Sequence, residues 1–251
     1  MKRPISVQVY SLRERAEKDF AGVIRDIAAA GYAAVETAGL YGRSAAEVRK
    51  MLDDVGLVAS SAHVPLASRD NLNEIVDTAK TMGYKYCISG FGPDEFKSMD
   101  SIKASAAKFQ AAAEVLKPHG LQMGYHNHWW EFDLIDGRYG YNWFFELCPD
   151  VFSELDVYWC NNFNRVDVPA VVQAHKKQIK LLHIKDGPLV KDQPHTAVGA
   201  GKMNIPAIVK AAGKETEWLV VELDACATDM TQAVRESVLY LKKARLGVGT
   251  K

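Results

Sequence analysis

Short apolar runs alternate with amphipathic stretches along almost the entire chain, and a chain that does this eight times has few folds open to it. The first run, Ile5–Tyr10 (ISVQVY), precedes DFAGVIRDIAAAG, where Phe20, Val23, Ile24 and Ile27 recur at helical spacing before Gly31. Ser44 opens SAAEVRKMLDDVG with Glu47 three residues on, the pattern of a capping box, and Gly56 closes it. Further strand candidates are AAVET, LVASSAHV, YKYCIS, LQMGYH, FSELDV, IKLLHIKD and EWLVVEL, each ahead of a helix candidate. Gly31, Gly56, Gly83 and Gly120 each end a helical stretch and lead straight into the next apolar run. Alternation of this kind predicts a parallel sheet with crossover helices. Eight such units in 251 residues predict an α/β chain forming a single closed (β/α)8 TIM barrel over residues 1–251. A doubly wound sheet is the poorer fit, because no GxGxxG or GxxxxGK[ST] follows any strand candidate.

Barrel sites lie at the C-terminal ends of the strands. Those ends carry Gln8 and Tyr10, Glu36, His63, Ser89, His126 and His128, Glu154 and Asp156, His183 with Lys185 and Asp186, and Glu222 with Asp224. The strand period of two puts His126 with His128, Glu154 with Asp156, His183 with Lys185, and Glu222 with Asp224 on common faces. Of the strand-6 pair, Asp156 is nearer the rim. Carboxylates and imidazoles converging on one axis, without thiolate, form a site for one divalent ion such as Mn, Mg, Co or Zn. An ion of this type lowers the cost of forming an enediolate from a carbonyl and its neighbouring hydroxyl. A nearby carboxylate can then carry the proton. YHNHWWEF is the densest cluster of all, with two His, Glu131 and aromatic rings that serve either as core or as a platform to stack on a sugar.

Composition narrows the partners. Lys+Arg and Asp+Glu both number 31, so the chain lacks the positive field that a phosphate backbone requires, and nucleic acid is not expected as a partner. No apolar run nears the roughly 20 residues that span a bilayer, so no membrane partner is expected either. The start MKRPISVQVYSLRER has no signal-peptide core, and four scattered Cys without a CxxC read as reduced thiols; a cytoplasmic location is expected. GAGK (Gly199–Lys202), after the seventh strand candidate, is the nearest thing to a phosphate cradle and reads equally as a flexible turn. Trp129, Trp130, Trp143, Tyr139 and Tyr141 are placed to cover a substrate or a neighbouring subunit, so a homo-oligomer is an open expectation.

These residues together resemble the xylose isomerase-like TIM-barrel superfamily of sugar phosphate isomerases and epimerases. The resemblance covers essentially the whole chain. It rests on VQVYSLRE, VETAGLYGRSAAEVRKML, GYHNHWWEF, ELDVYW, LLHIKD and VVELD. It implies a metal held by a Glu after strand 5, an Asp after strand 6, a His after strand 7 and a Glu after strand 8. Asp156, His183 and Glu222 match; at strand 5 the chain has His126 where relatives with an ENH motif have the Glu. The fourth ligand is then Glu131, reaching back from the loop, or His126 itself, and Glu131 is the expectation. Where other members carry DxxH after strand 6, this chain has Trp159, which offers an apolar ring face to a substrate.

The resemblance further implies an isomerase or epimerase of a sugar or keto sugar. Glu222, His126, His128 and Lys185 are the catalytic candidates, and Gln8, Tyr10, Glu36, His63 and Trp159 the substrate contacts. A metal-dependent lyase or hydratase acting on a keto sugar, a 3-keto-glycoside or an inosose is the alternative, since it begins from the same enediolate.

Overall fold

The computed structural model describes residues 2–250; Met1 and Lys251, the ends of the expected domain, lie outside the described residues. Eight parallel strands follow one another around a closed barrel: β1 (Arg3–Gln8), β2 (Ala34–Ala38), β3 (Val58–His63), β4 (Tyr86–Ser89), β5 (Gln122–His126), β6 (Phe152–Asp156), β7 (Ile179–Ile184) and β8 (Trp218–Val221). Pairing of β8 with β1, Ile5 opposite Leu219 and Val7 opposite Val221, closes the ring. The helices that return the chain are α1 (Arg13–Ala30), α2 (Ala45–Val55), α3 (Leu72–Met82), α4 (Met99–Leu116), α5 (Gly140–Leu147), α6 (Val168–His175), α7 (Ile205–Ala211) and α8 (Met230–Lys243). The expected (β/α)8 architecture is the one observed.

Local signals account for the boundaries. The capping box at Ser44 and Glu47 is formed, and Gly56 ends α2 in the left-handed conformation that only glycine adopts without strain. The sequence pattern places a helix start at Asp19; the structure begins α1 earlier and has a break there instead (φ −145°, ψ 74°). The Asp19 carboxylate accepts the Gly22 N–H at 2.8 Å, acting as a cap inside the element.

The barrel interior is layered by the period of two. Near the bottom, Phe152 of β6 packs with Tyr86, Ile88, Leu181 and Trp218. Two residues further along the same faces, the filling turns polar, with Glu154 on β6 and His183 on β7, both fully buried. The pairing register shifts between Val35 and Glu36 and again between Ser153 and Glu154. Irregularities of this kind re-aim side chains, and here each precedes a buried carboxylate.

Gly124 leaves room for the bottom layer, since a Cβ there would lie 2.3 Å from the Phe152 ring. Gly124→Ala is therefore expected to cost about 1–3 kcal/mol through overpacking. That corresponds to a Tm lower by about 2–12 °C for a chain of this size. Calorimetry checks it, and an unchanged Tm would show that the ring shifts freely.

Candidate active site

At the C-terminal end of the barrel, side chains from seven strands or their following turns form one connected network. Its deeper part centres on two carboxylates. Glu154 Oε2 lies 2.8 Å from His63 Nε2 and 3.1 Å from both His126 Nδ1 and His183 Nε2. Glu36 Oε1 lies 2.7 Å from His183 Nε2 and 3.3 Å from His63 Nε2. Gln8 donates to the same oxygen at 2.8 Å, and Ser61 donates to the other.

The upper part centres on Lys185, whose side chain is entirely buried. Its Nζ stands 2.9 Å from Asp156, 3.0 Å from Glu222 and 2.6 Å from Asp224. His183 links the two parts, its Nδ1 lying 2.9 Å from Glu222 Oε2. His126 does the same less tightly, with Nε2 3.9 Å from Asp156 Oδ2.

Burial and charge set the protonation. Burial alone would push His63 down, but the Glu154 and Glu36 carboxylates outweigh it and raise its pKa to about 10. Burial also opposes the charge on Lys185, yet Asp156, Asp224 and Glu222 hold the ammonium firmly protonated. Glu222 is desolvated too, and Lys185 with His183 keeps it ionised, well below the usual carboxylate range. Burial, reinforced by His126 and Lys185, pushes His128 down to about 3, so its imidazole is neutral at ordinary pH.

Asp156, His183, Glu222, His126 and Lys185 are thus brought together, with Gln8, Glu36 and His63 as neighbours. Two sets of side chains have donor atoms close enough for one ion, His126 with Asp156, His183 and Glu222, and His63 with His126, Glu154 and His183. Glu131 is not brought to either. The turn after β5 (Trp130–Phe132) tucks it, fully buried, against Tyr125, whose hydroxyl donates to Glu131 Oε1 at 2.7 Å, while the His128 N–H donates to Oε2 at 2.9 Å. Tyr125 itself packs on Phe109 and Phe144 in the helix layer, the face of β5 opposite His126.

Burial pushes Glu131 up to about 8, and a carboxyl raised in this way contributes stability that is complete below about pH 4.5 and lost as pH rises through about 8. Wild type is therefore expected to lose more stability than Glu131→Gln between pH 5 and pH 9 in urea titrations. Parallel losses would contradict this.

Two cavities open onto the network. One of about 530 Å³ is lined by Tyr10, His63, Phe91, His126, Trp130 and Glu222. The other, of about 330 Å³, is walled by Trp129, Tyr158, Trp159, Phe163 and His195, and shares Asp224 with the first. The backbone N–H groups of Gly199 and Gly201 already donate to the Asp186 carboxylate, at 2.9 and 3.2 Å, so GAGK is an internally satisfied turn.

His195, which the sequence places only in a polar loop, is buried against Tyr158 and Trp159. At strand 6 the sequence favours the rim residue Asp156, and the structure adds Glu154, one layer deeper, to the network. The signal that could have found it was the shared face of Glu154 and Asp156.

No curated protein matches the sequence. Solved structures do. A sugar phosphate isomerase/epimerase from Parabacteroides distasonis superposes with a TM-score of 0.78 at 26% identity, over 98% of this chain and 96% of that one. An L-ribulose 3-epimerase gives 0.67 at 18% identity, over 98% and 95%. The IOLI protein with a bound zinc atom gives 0.73 at 16% identity, over 96% and 97%. The sequence model of the xylose isomerase-like TIM barrel matches residues 24–244, and the chain belongs to that family.

Proposed function

We propose that the chain is a divalent-metal-dependent isomerase or epimerase of a sugar or keto sugar, phosphorylated or not, acting through an enediolate. The observation that carries this reading is the convergence of carboxylates and imidazoles from separate strands beneath a cavity of about 530 Å³. The donors fit a divalent ion: all are nitrogen or oxygen, Glu154 Oε1 is buried with no hydrogen-bond partner among the described residues, and Asp156 Oδ2 is buried with no hydrogen bond beyond its ion pair with Lys185. His126 and His183, which belong to both sets, would hold it together with Asp156 and Glu222 or with His63 and Glu154. Mn, Mg, Co and Zn all suit such donors. Bound there, the ion supplies positive charge next to a substrate carbonyl.

The protein's own groups do the rest. Glu222, kept ionised and lining the cavity, takes the proton from the carbon beside the carbonyl. His128, neutral and with Nδ1 lacking a partner among the described residues, lines the same cavity with His126, and either would receive or return the second proton. Lys185 stays protonated and holds Asp156, Glu222 and Asp224 in register. Gln8, Tyr10 and His63 line the sugar cavity, Gln8 is held by its hydrogen bond to the buried Glu36, and Trp159 walls the adjoining cavity. Such an enzyme would work in the cytoplasm with its cysteines reduced.

The lyase or hydratase reading is favoured by one feature, the aromatic-walled second cavity, which offers room for a group attached to the sugar and then released. Product analysis separates the two. Mn-loaded protein incubated with keto sugars and 3-keto-glycosides is expected to yield a new isomer by NMR. Release of water or an aglycone would establish the lyase, and no product from any of them would defeat both readings.

A further inference from the structure

The smaller cavity is walled by aromatic rings and meets the larger one at Asp224. We propose that it binds a second ring joined to the keto sugar, so that the substrate is a glycoside rather than a free sugar, and that His195 donates a hydrogen bond to the linking oxygen. This rests on the reading of the larger cavity as the sugar site, and it holds whether or not the link is then broken.

Size and walls fit one ring. The cavity holds about 330 Å³, near the lower end of small-ligand pockets, and Trp129, Tyr158, Trp159 and Phe163 line it. Flat apolar faces of this kind bury the plane of an aryl group or the apolar face of a sugar. The Trp159 ring stands 6.5 Å from that of His128, which lines the larger cavity. The two spaces therefore meet at Asp224, with His128 on one side and Trp159 on the other, where a link between two rings would run.

Charge disfavours a phosphate as the occupant. The carboxylates of Asp192 and Asp224 line the cavity against a single ammonium, that of Lys191, whose Nζ lies 4.8 Å from the centre of the Trp129 ring. An anion would find no net positive field there.

His195 supplies the polar group. Its ring meets Tyr158 and Trp159 edge-on, with centres 4.7 and 5.4 Å apart. Its Nδ1 accepts the Asp224 N–H at 3.3 Å, and burial, reinforced by Lys185, keeps the imidazole neutral with a pKa down at about 4. The proton therefore sits on Nε2, which has no hydrogen-bond partner among the described residues. Beside Asp224, that N–H is a donor for an oxygen joining the two rings.

Both lips of the cavity hold backbone conformations that residues other than glycine rarely adopt. Asn162, Phe163 and Asn164 have φ of 45°, 55° and 69°, and Leu189 and Asp192 both have 60°. Strain of this kind persists where the surroundings fix it, and it gathers at ligand clamps. Here the Asn162 amide donates to the Phe132 carbonyl at 3.4 Å, and the Leu189 N–H donates to the Tyr158 hydroxyl at 3.1 Å. One lip is thereby tied to the turn after β5, and the other to the cavity wall.

Calorimetry on Mn-loaded protein tests this with the phenyl β-glycosides of glucose, galactose and mannose against their methyl β-glycosides, none of which has a carbonyl to react. For at least one sugar the phenyl compound should bind about tenfold tighter or better, and Trp159→Ala and Phe163→Ala should each remove most of that ratio. Phe163, on the half-buried lip, keeps the test decisive should Trp159→Ala not fold. His195→Leu should weaken both compounds about fivefold, and His195→Gln, which keeps an N–H donor, should weaken them less. No phenyl preference in wild type, or one that survives both aromatic variants, would overturn the inference; equal losses in the two His195 variants would take the donor role from His195. Deuterium exchange into keto sugars is read on the same preparations. Exchange without a phenyl preference would remove the second-ring site alone, and a preference without exchange would uphold that site and remove the proposed reaction.

Discussion

Glu222→Gln is expected to lower kcat/KM for the keto-sugar reaction by about a thousandfold, within the span of general acid–base effects, with little change in KM. The substitution keeps the shape of the side chain, and its oxygen can still meet His183 Nδ1, now 2.9 Å from the carboxylate. Lys185 retains Asp156 and Asp224 as partners. What the amide cannot do is accept a proton from carbon. Steady-state kinetics on the metal-loaded variant check this; a loss below about tenfold would transfer the proton-accepting role to His128 or His126.

Lys185→Met should produce the largest change in stability. It leaves Asp156, Glu222 and Asp224 facing one another without the ammonium that stands 2.6–3.0 Å from each. Removing one partner from a buried ionic cluster costs about 3–5 kcal/mol. For a domain of this size the Tm of chelator-treated protein should fall by about 6–20 °C. Adding Mn should restore more of the loss in the variant than it adds to wild type, because a dication can enter the vacated space. An unchanged Tm would show that the three carboxylates are neutralised some other way.

The barrel was legible because each strand is apolar, each return helix has a clear period, and Gly31, Gly56, Gly83 and Gly120 sit in left-handed caps as their positions suggest. The rim of the site was legible for a related reason: a polar residue ending an apolar strand stands out. Two things were hidden. Glu131 belongs to the loop most crowded with polar and aromatic groups, and nothing in its spacing tells that the turn folds it behind β5 onto Tyr125. Glu154 lies one layer below the rim, where its partners come from β3, β5 and β7, far apart in the chain. The period of two places Glu154 on the right face, but only the closed barrel shows which imidazoles meet it there.

Deuterium exchange tests the central claim most directly. Protein freed of metal by chelation and then supplied with Mn or Co is incubated in D2O with a panel of keto sugars, and the sugars are followed by NMR. The account predicts deuterium on the carbon beside the carbonyl for at least one substrate, absent in the chelated protein and restored with the ion. Exchange that persists at full rate after chelation, or none with any sugar at any ion, would contradict it.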